Sequence, residues 1–267
     1  MSGLGPGRVL IIAGSDSGGG AGVQADIKTV TALGGYASSA ITAVTVQNTQ
    51  GVFGVHPIPV EIILAQARVV LDDIGADVIK TGMLGDVDVV EAVAALLEQA
   101  GVPAVIDPVM IAKGGAALLA PGALEAVRDR LVPQAALLTP NAPEAAALTG
   151  LVVETTDDLR RAGEALLARG AKAVLMKGGH IEGPILTDIL ITPGGETLFT
   201  GPRIETRHTH GTGCTLASAC ATGLAQGLSL EAAVARAWAY VAEAIRRAPG
   251  LGAGHGPVDH AWPMRGD

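Results

Sequence analysis

The chain has 267 residues, 49% hydrophobic but only 2% aromatic, with a formal net charge of −8 and its thirteen Arg and five Lys scattered. That excludes a basic stripe for a phosphate backbone and an aromatic platform for single strands, so no nucleic-acid partner is expected. Mean hydropathy is +0.42, yet no run of about 18 apolar residues occurs and Val9 to Ala13 is too short for a signal-peptide core, so no membrane span and a cytoplasmic location are expected.

Arg8 to Gly14 reads as a buried strand that ends in a glycine-rich loop, Ser15 to Gly20. A helix is predicted from Ala21 to Leu33, with Val23, Ile27, Val30 and Leu33 on one face. Tyr36 to Val46 is an alternating strand, and Val52 to Ile58 a short edge or flap strand before Pro59. Helix 60–73, strand 77–81, helix 87–99 and strand 103–107 continue the pattern. Helix 121–131, strand 135–138, helices 142–149 and 156–169 and strand 172–177 follow. A hairpin near 185–200 turns at Pro193 to Gly195, and helices 212–227 and 229–247 precede a Gly/Pro-rich tail. Alternating strands and helices imply a mostly parallel sheet covered on both faces, a three-layer α/β/α sandwich, and no linker divides residues 1–267 into more than one domain. In such folds ligands sit beyond the C-terminal ends of the strands, so the loops there hold the candidate chemistry.

The first loop, Gly14 to Gly22, matches neither the dinucleotide fingerprint nor the Walker A pattern. It reads either as backbone that closely approaches a ligand, with Asp26 one turn into the helix reaching it, or as a flexible turn with Asp26 solvated. Gln47, at the end of the second strand, offers a donor and an acceptor side by side, suited to an aminopyrimidine edge; a plain Asn/Gln turn is the competing reading. Met83 suits a flat ring or the core. Asp107 could hold Mg²⁺ through water. Asn141-Ala-Pro-Glu144 is a capping box in form, and as chemistry Asn141 and Glu144 could hold hydrated Mg²⁺ and phosphate. Lys177, before two glycines, suits a phosphate charge, with a solvated surface lysine as the competing reading.

The most specific segment is Thr209 to Ala217, where Gly211, Thr212 and Gly213 precede a strong helical pattern. Several backbone N–H groups and the helix dipole converge there, which reads as an anion site for a transferring phosphoryl group; a glycine-rich entry to a buried helix, with Cys214 a small apolar residue, is the competing reading. Cys214 lies in the first turn, where the dipole favours thiolate, able to take a proton from a hydroxyl. Cys220 is six residues further on and points elsewhere, so a disulfide is not expected. His208 and His210 lack further ligands for zinc.

In order, IAGSDSGGGAGVQADIKT (12–29), VTVQNTQGV (44–52), KTGML (80–84), DPVM (107–110), LTPNAPEAAALTG (138–150), VLMKGGH (174–180) and THGTGCTLASA (209–219) together resemble the hydroxymethylpyrimidine/phosphomethylpyrimidine kinases of thiamine biosynthesis, in the ribokinase-like superfamily. The resemblance implies phosphorylation of 4-amino-5-hydroxymethyl-2-methylpyrimidine and then of its monophosphate, with ATP as co-substrate and Mg²⁺. It places Gln47, Ala21, Asp26, Met83 and Val109 at the pyrimidine. Gly211, Gly213, Cys214 and Lys177 fall at the catalytic anion hole, with Cys214 as the proposed base. Asn141, Lys177 and Thr212 fall at nucleotide or phosphate, and Asp107 and Glu144 at the metal. It also implies a homodimer. Most of the superfamily carries Asp where this chain has Cys214, a feature the pyrimidine-kinase branch shares. A pyridoxal/pyridoxine kinase on the same fold is the alternative, and a non-catalytic nucleotide or vitamin-precursor sensor a third reading.

Overall fold

The computed structural model describes residues 5–111, 115, 118–120 and 122–265. Its strands are β1 (Arg8–Ser15), β2 (Tyr36–Asn48), β3 (Gly51–Pro57), β4 (Val78–Thr81), β5 (Ala104–Ile106), β6 (Ala135–Leu138), β7 (Val174–Met176), β8 (Ile185–Thr192) and β9 (Gly195–Pro202). They form one sheet in the order β3-β2-β1-β4-β5-β6-β7-β8-β9. β1, β2 and β4 to β7 run parallel, whereas β3, β8 and β9 are antiparallel to their preceding neighbours.

Period-two side-chain alternation divides the core between the two faces. Leu10, Ile12, Ile79, Ile106, Val174 and Met176 point to one side, where α2 (Val60–Asp73), α3 (Val87–Ala100), α4 (Ala123–Ala126), α5 (Ala142–Thr149) and α6 (Thr156–Ala168) bury Ile63, Val90, Ala126, Leu148 and Leu159. Val9, Ile11, Val78, Val105 and Leu175 point to the other, against α1 (Gly22–Ala32), α7 (Thr212–Ala225) and α8 (Leu230–Arg246). The chain leaves β1 toward β2 and then crosses to β4 on the opposite side. The strand order therefore reverses at β1, which opens a crevice at the C-terminal ends of β1 and β4.

Two local expectations change, and the tail gains a place. In α1 the buried residues are Val23, Ala25, Asp26, Thr29 and Val30, while Ile27 is exposed, because a buried lysine draws Asp26 inward. The helix expected over 121–131 shortens to α4 and continues as a π-turn, Val127–Leu131; its first residue, 121, lies outside the described residues. The Gly/Pro-rich tail is laced onto the molecule: His210 N–H donates to the Gly256 carbonyl and Asp259 N–H to that of Ala244. Among the described residues, no helix is long and apolar enough to cross a membrane.

Candidate active site

A cavity of about 450 Å³ lies over the strand ends at this switch point, within the range of small-molecule sites. Its walls bring together Ala21, Gln47, Met83, Asp107, Val109, Asn141, Glu144, Lys177, Gly211, Thr212, Gly213 and Cys214. Every residue expected at the site reaches it except Asp26.

The glycine-rich loop is wound around Asp16, a residue the sequence reading passed over. Its carboxylate accepts N–H bonds from Gly18, Gly20 and Ala21 at 2.8, 3.0 and 2.8 Å, and lies 2.9 Å from His210 Nε2. Burial works against its charge, but the His210 and backbone bonds outweigh it and lower its pKa. The signal was an Asp two residues before a Gly-rich turn, where such a side chain satisfies the loop's own N–H groups. His210 Nε2 donates to the Asp16 carboxylate and lies 3.4 Å from the Gln47 side-chain amide, whose other side is 3.2 Å from the Thr45 hydroxyl. Met83 lies across the end of β1: a methyl group on Gly14 would come within 2.6 Å of its Cε.

Beneath the cavity, Lys80 Nζ contacts both Asp26 oxygens at 2.8 and 2.9 Å, and the Ser218 hydroxyl donates to the same carboxylate at 2.7 Å. Both members of the pair are fully buried. Burial disfavours the Lys80 ammonium, but Asp26 together with Cys214 and Asp107 outweighs it and its pKa is raised. Asp26 is therefore no wall of the cavity; it neutralises the lysine beneath it. A Lys in the central strand Val-Ile-Lys-Thr carried that signal, because a buried ammonium requires an anionic partner.

The opposite wall joins β5, α5 and β7. Lys177 Nζ is 3.0 Å from Asp107 Oδ1 and 3.8 Å from Glu144 Oε2. Burial lowers and the two carboxylates raise the Lys177 pKa; the carboxylates win. Lys177 is thus no solvated surface lysine. Asn141 and Glu144 close the capping box in both directions, at 2.8 and 2.9 Å, so Glu144 caps α5 and faces the cavity at once. Burial pushes the Glu144 carboxyl up to about 7, against Lys177 and with Asp107.

α7 points its N-terminus at the same space, with no side-chain cap and no acidic residue in its first turn. Gly211 adopts φ +79°, and a side chain there would overlap the Gly20 carbonyl at 1.8 Å, so the helix start and the glycine-rich loop meet backbone to backbone. A methyl on Gly213 would stand 3.3 Å from Lys177 Nζ and 3.8 Å from Asp107 Oδ2. The bare first turn and these charges therefore enclose one small volume.

Cys214 corrects the expectation of a resting thiolate. Burial pushes its thiol up to about 12, outweighing nearby Lys80 and the N–H that Gly22 donates to it; Asp26 and Asp107 push the same way. The helix dipole is weaker than desolvation beside two carboxylates. Cys220 is fully buried in the α7 core, and both cysteines are unpaired. Among the described residues, no group of three or more His, Cys, Asp or Glu could hold a metal ion.

The family profile described as phosphomethylpyrimidine kinase matches residues 16–259. The hydroxymethylpyrimidine/phosphomethylpyrimidine kinase of Streptomyces coelicolor is 53% identical over 259 residues, 97% of this chain and 96% of that protein. The phosphomethylpyrimidine kinase structure from Clostridium difficile 630 superposes with a TM-score of 0.80 at 41% identity, covering 89% of this chain and 99% of that one. The pyridoxal kinase of Staphylococcus aureus, solved with AMP-PCP and pyridoxal, superposes with a TM-score of 0.90 at 34% identity, covering 98% and 96%. The backbone is thus shared by both vitamin-kinase groups, a ribokinase-like fold, while sequence identity is higher toward the pyrimidine kinases. On the match over nearly its whole length, the chain belongs to the phosphomethylpyrimidine kinase family.

Proposed function

We propose that the chain, acting as one catalytic domain, transfers the γ-phosphoryl group of ATP to the hydroxymethyl group of 4-amino-5-hydroxymethyl-2-methylpyrimidine, and then phosphorylates the monophosphate to the diphosphate. The carrying observation is the convergence of the uncapped α7 N-terminus with Lys177 and Asp107 across the bare Cα of Gly213, in the wall of a cavity that Gln47, Met83 and Val109 also line. Phosphoryl transfer asks mainly for positioning and for stabilisation of charge on the transferring group. The N–H groups of Gly213 and Cys214 and the Lys177 ammonium supply that charge complement, with the Thr212 N–H beside them bonded to the Thr209 carbonyl, and Asn141 lines the nucleotide side. Gln47 pairs with the aminopyrimidine edge, and Ala21, Met83 and Val109 pack its faces.

Asp107 and Glu144 fit Mg²⁺ carried in with the nucleotide better than a resident ion. Two carboxylates with waters and phosphate oxygens are a common magnesium donor set. Asp107 bonds Thr139 and Lys177 through Oδ1, and Glu144 bonds Asn141 through Oε2, which leaves Oδ2 and Oε1 for water or metal. Held there by Asp107 and Glu144, the ion would supply charge compensation to the phosphates. Cys214 acts in this reading by contact: with a thiol pKa of about 12, about one part in 10⁵ is thiolate at pH 7, so the side chain orients the hydroxymethyl group, whose proton passes late in the transfer to an oxygen of the phosphoryl group it receives.

A cytoplasmic homodimer completes the reading. Val46 and Phe53, 64% and 66% exposed on the β2–β3 pair, supply apolar surface for a second copy; light scattering at micromolar concentration tests it, and a monomer would refute it.

The deciding assay is ADP release with the pyrimidine alcohol, its monophosphate and pyridoxal side by side. Turnover of both pyrimidines, with pyridoxal slower, is expected. Turnover of pyridoxal without the monophosphate transfers the chain to the pyridoxal kinase reading, which the Staphylococcus aureus likeness keeps open. ATP binding without turnover of any of the three leaves the sensor reading.

A further inference from the structure

The tail of the chain reaches the head of α7 through one histidine. His260 is 4% exposed, and its Nε2 lies 3.0 Å from the Thr215 hydroxyl. The same hydroxyl is 2.8 Å from the Gly211 carbonyl, which also accepts the Thr215 N–H at 2.9 Å. Thr215 is itself fully buried. The position of His260 is fixed from behind: the Tyr240 hydroxyl donates to its carbonyl at 2.6 Å, and Trp262 stacks on Tyr240 with ring centroids 5.9 Å apart. Residues 256–262 thus run from α8 to the first turn of α7.

Hydrogen counting orients this chain. A threonine hydroxyl has one proton and two lone pairs. The Gly211 carbonyl can only accept, so the Thr215 proton goes to it. The His260 Nε2 must then carry a hydrogen and donate to the Thr215 oxygen. Burial pushes the His260 imidazole down to about 4, so it is neutral at ordinary pH, in the Nε2–H tautomer. A helical threonine bonding back to the i−4 carbonyl is common by itself. What is added here is a buried donor that leaves that hydroxyl no alternative acceptor.

Gly211 is the residue in the left-handed region whose peptide turns the chain into α7. Its carbonyl and the N–H of Thr212 belong to one rigid plane. Pinning the carbonyl therefore sets the direction of the Thr212 N–H and of the Gly213 and Cys214 N–H groups that follow it. We propose that His260, acting through Thr215, is a positioning residue that holds the phosphoryl-binding N–H groups of α7 in register, so that the C-terminal segment is part of the transfer machinery. This rests on the proposed role of the α7 N-terminus.

The test is steady-state kinetics on His260→Leu, His260→Gln, Thr215→Val, Thr215→Ser and the His260→Leu/Thr215→Val pair, each checked for folding by circular dichroism. His260→Leu and Thr215→Val are each expected to lower kcat by at least about tenfold, since small misplacements of a reacting group are costly, with KM for the pyrimidine alcohol nearly unchanged. His260→Gln and Thr215→Ser keep the donor or the hydroxyl and are expected to recover most of the loss. The double variant is expected to be no worse than the poorer single, because both act through one chain of bonds. A folded His260→Leu with wild-type kcat overturns the proposal, as do losses that multiply in the double variant. Should His260→Leu fail to fold, the contrast between Thr215→Val and Thr215→Ser decides in the same way. An inactive wild-type chain would instead strike at the kinase reading, a result distinguishable from active wild type with indifferent variants.

Discussion

Gly213→Ala separates catalysis from folding. Residue 213 is in the first turn of α7, where alanine is the better helix former by up to about 1 kcal/mol. The new methyl would stand 3.3 Å from Lys177 Nζ, the far end of a flexible side chain that can withdraw by a few tenths of an ångström. Stability is therefore expected to stay level or rise slightly. The methyl also fills the gap between the first-turn N–H groups and Lys177, where the γ-phosphoryl group is proposed to sit. Displacing a reacting group by about 1 Å costs about a hundredfold, equal to about 2.7 kcal/mol of barrier. Coupled ADP-release kinetics with the pyrimidine alcohol, together with thermal melting, read both quantities. A hundredfold fall in kcat at unchanged or raised Tm is expected. Wild-type kcat in a folded variant would refute the placement of the phosphoryl group.

Three other perturbations test separate parts of the molecule. Cys214→Ser keeps an acceptor for the Gly22 N–H and is expected to retain turnover within about tenfold, the scale of a weakened orienting contact, while kcat of the parent shows no thiol titration from pH 6 to 9; a rising limb that disappears in the variant would restore Cys214 as a resting base. Lys80→Met strands the Asp26 carboxylate in the core and is expected to cost about 3–5 kcal/mol in denaturant unfolding, with Asp26→Leu added to it recovering most of the loss; additive losses would show that the two residues do not act as a pair. Asp188→Asn addresses pH. Burial pushes the Asp188 carboxyl up to about 6, against the N–H that Gly178 donates to it. The fold therefore prefers the protonated acid: this contribution is full below pH 4 and is lost as pH rises through 6, a difference of up to about 3 kcal/mol. Asn keeps the acceptor without the charge, so the variant is expected to gain stability over the parent above pH 6 and little at pH 4. His260, with its pKa lowered to about 4 by burial, acts in the opposite sense, losing stability as pH falls from 6.5, so the variant-minus-parent difference is the quantity to measure; equal curves would remove Asp188 as the cause.

Much of the architecture was legible in the chain itself. Alternating apolar runs and caps marked the strands and helices, because side-chain period and turn chemistry are local properties. Helix 60–73, helix 142–149 and strand 135–138 were found as expected. Gly211, Gly213 and the Asn141/Glu144 box were equally readable, since left-handed backbone and capping depend on a few neighbours. Tertiary structure alone decided the protonation and the partners. Nothing near Asp26 in sequence announces Lys80, 54 residues away, or Ser218, so a carboxylate expected at the substrate is found holding a charge beneath it. Cys214 carries the local mark of a thiolate, but its titration depends on burial by other elements and on carboxylates from α1 and from the loop after β5. The tail was legible only as Gly/Pro-rich, and only the packing of α8 against α7 brings His260 to Thr215, 45 residues away. Backbone form follows from nearest neighbours, whereas charge, desolvation and buried hydrogen bonds follow from whatever the fold carries into contact.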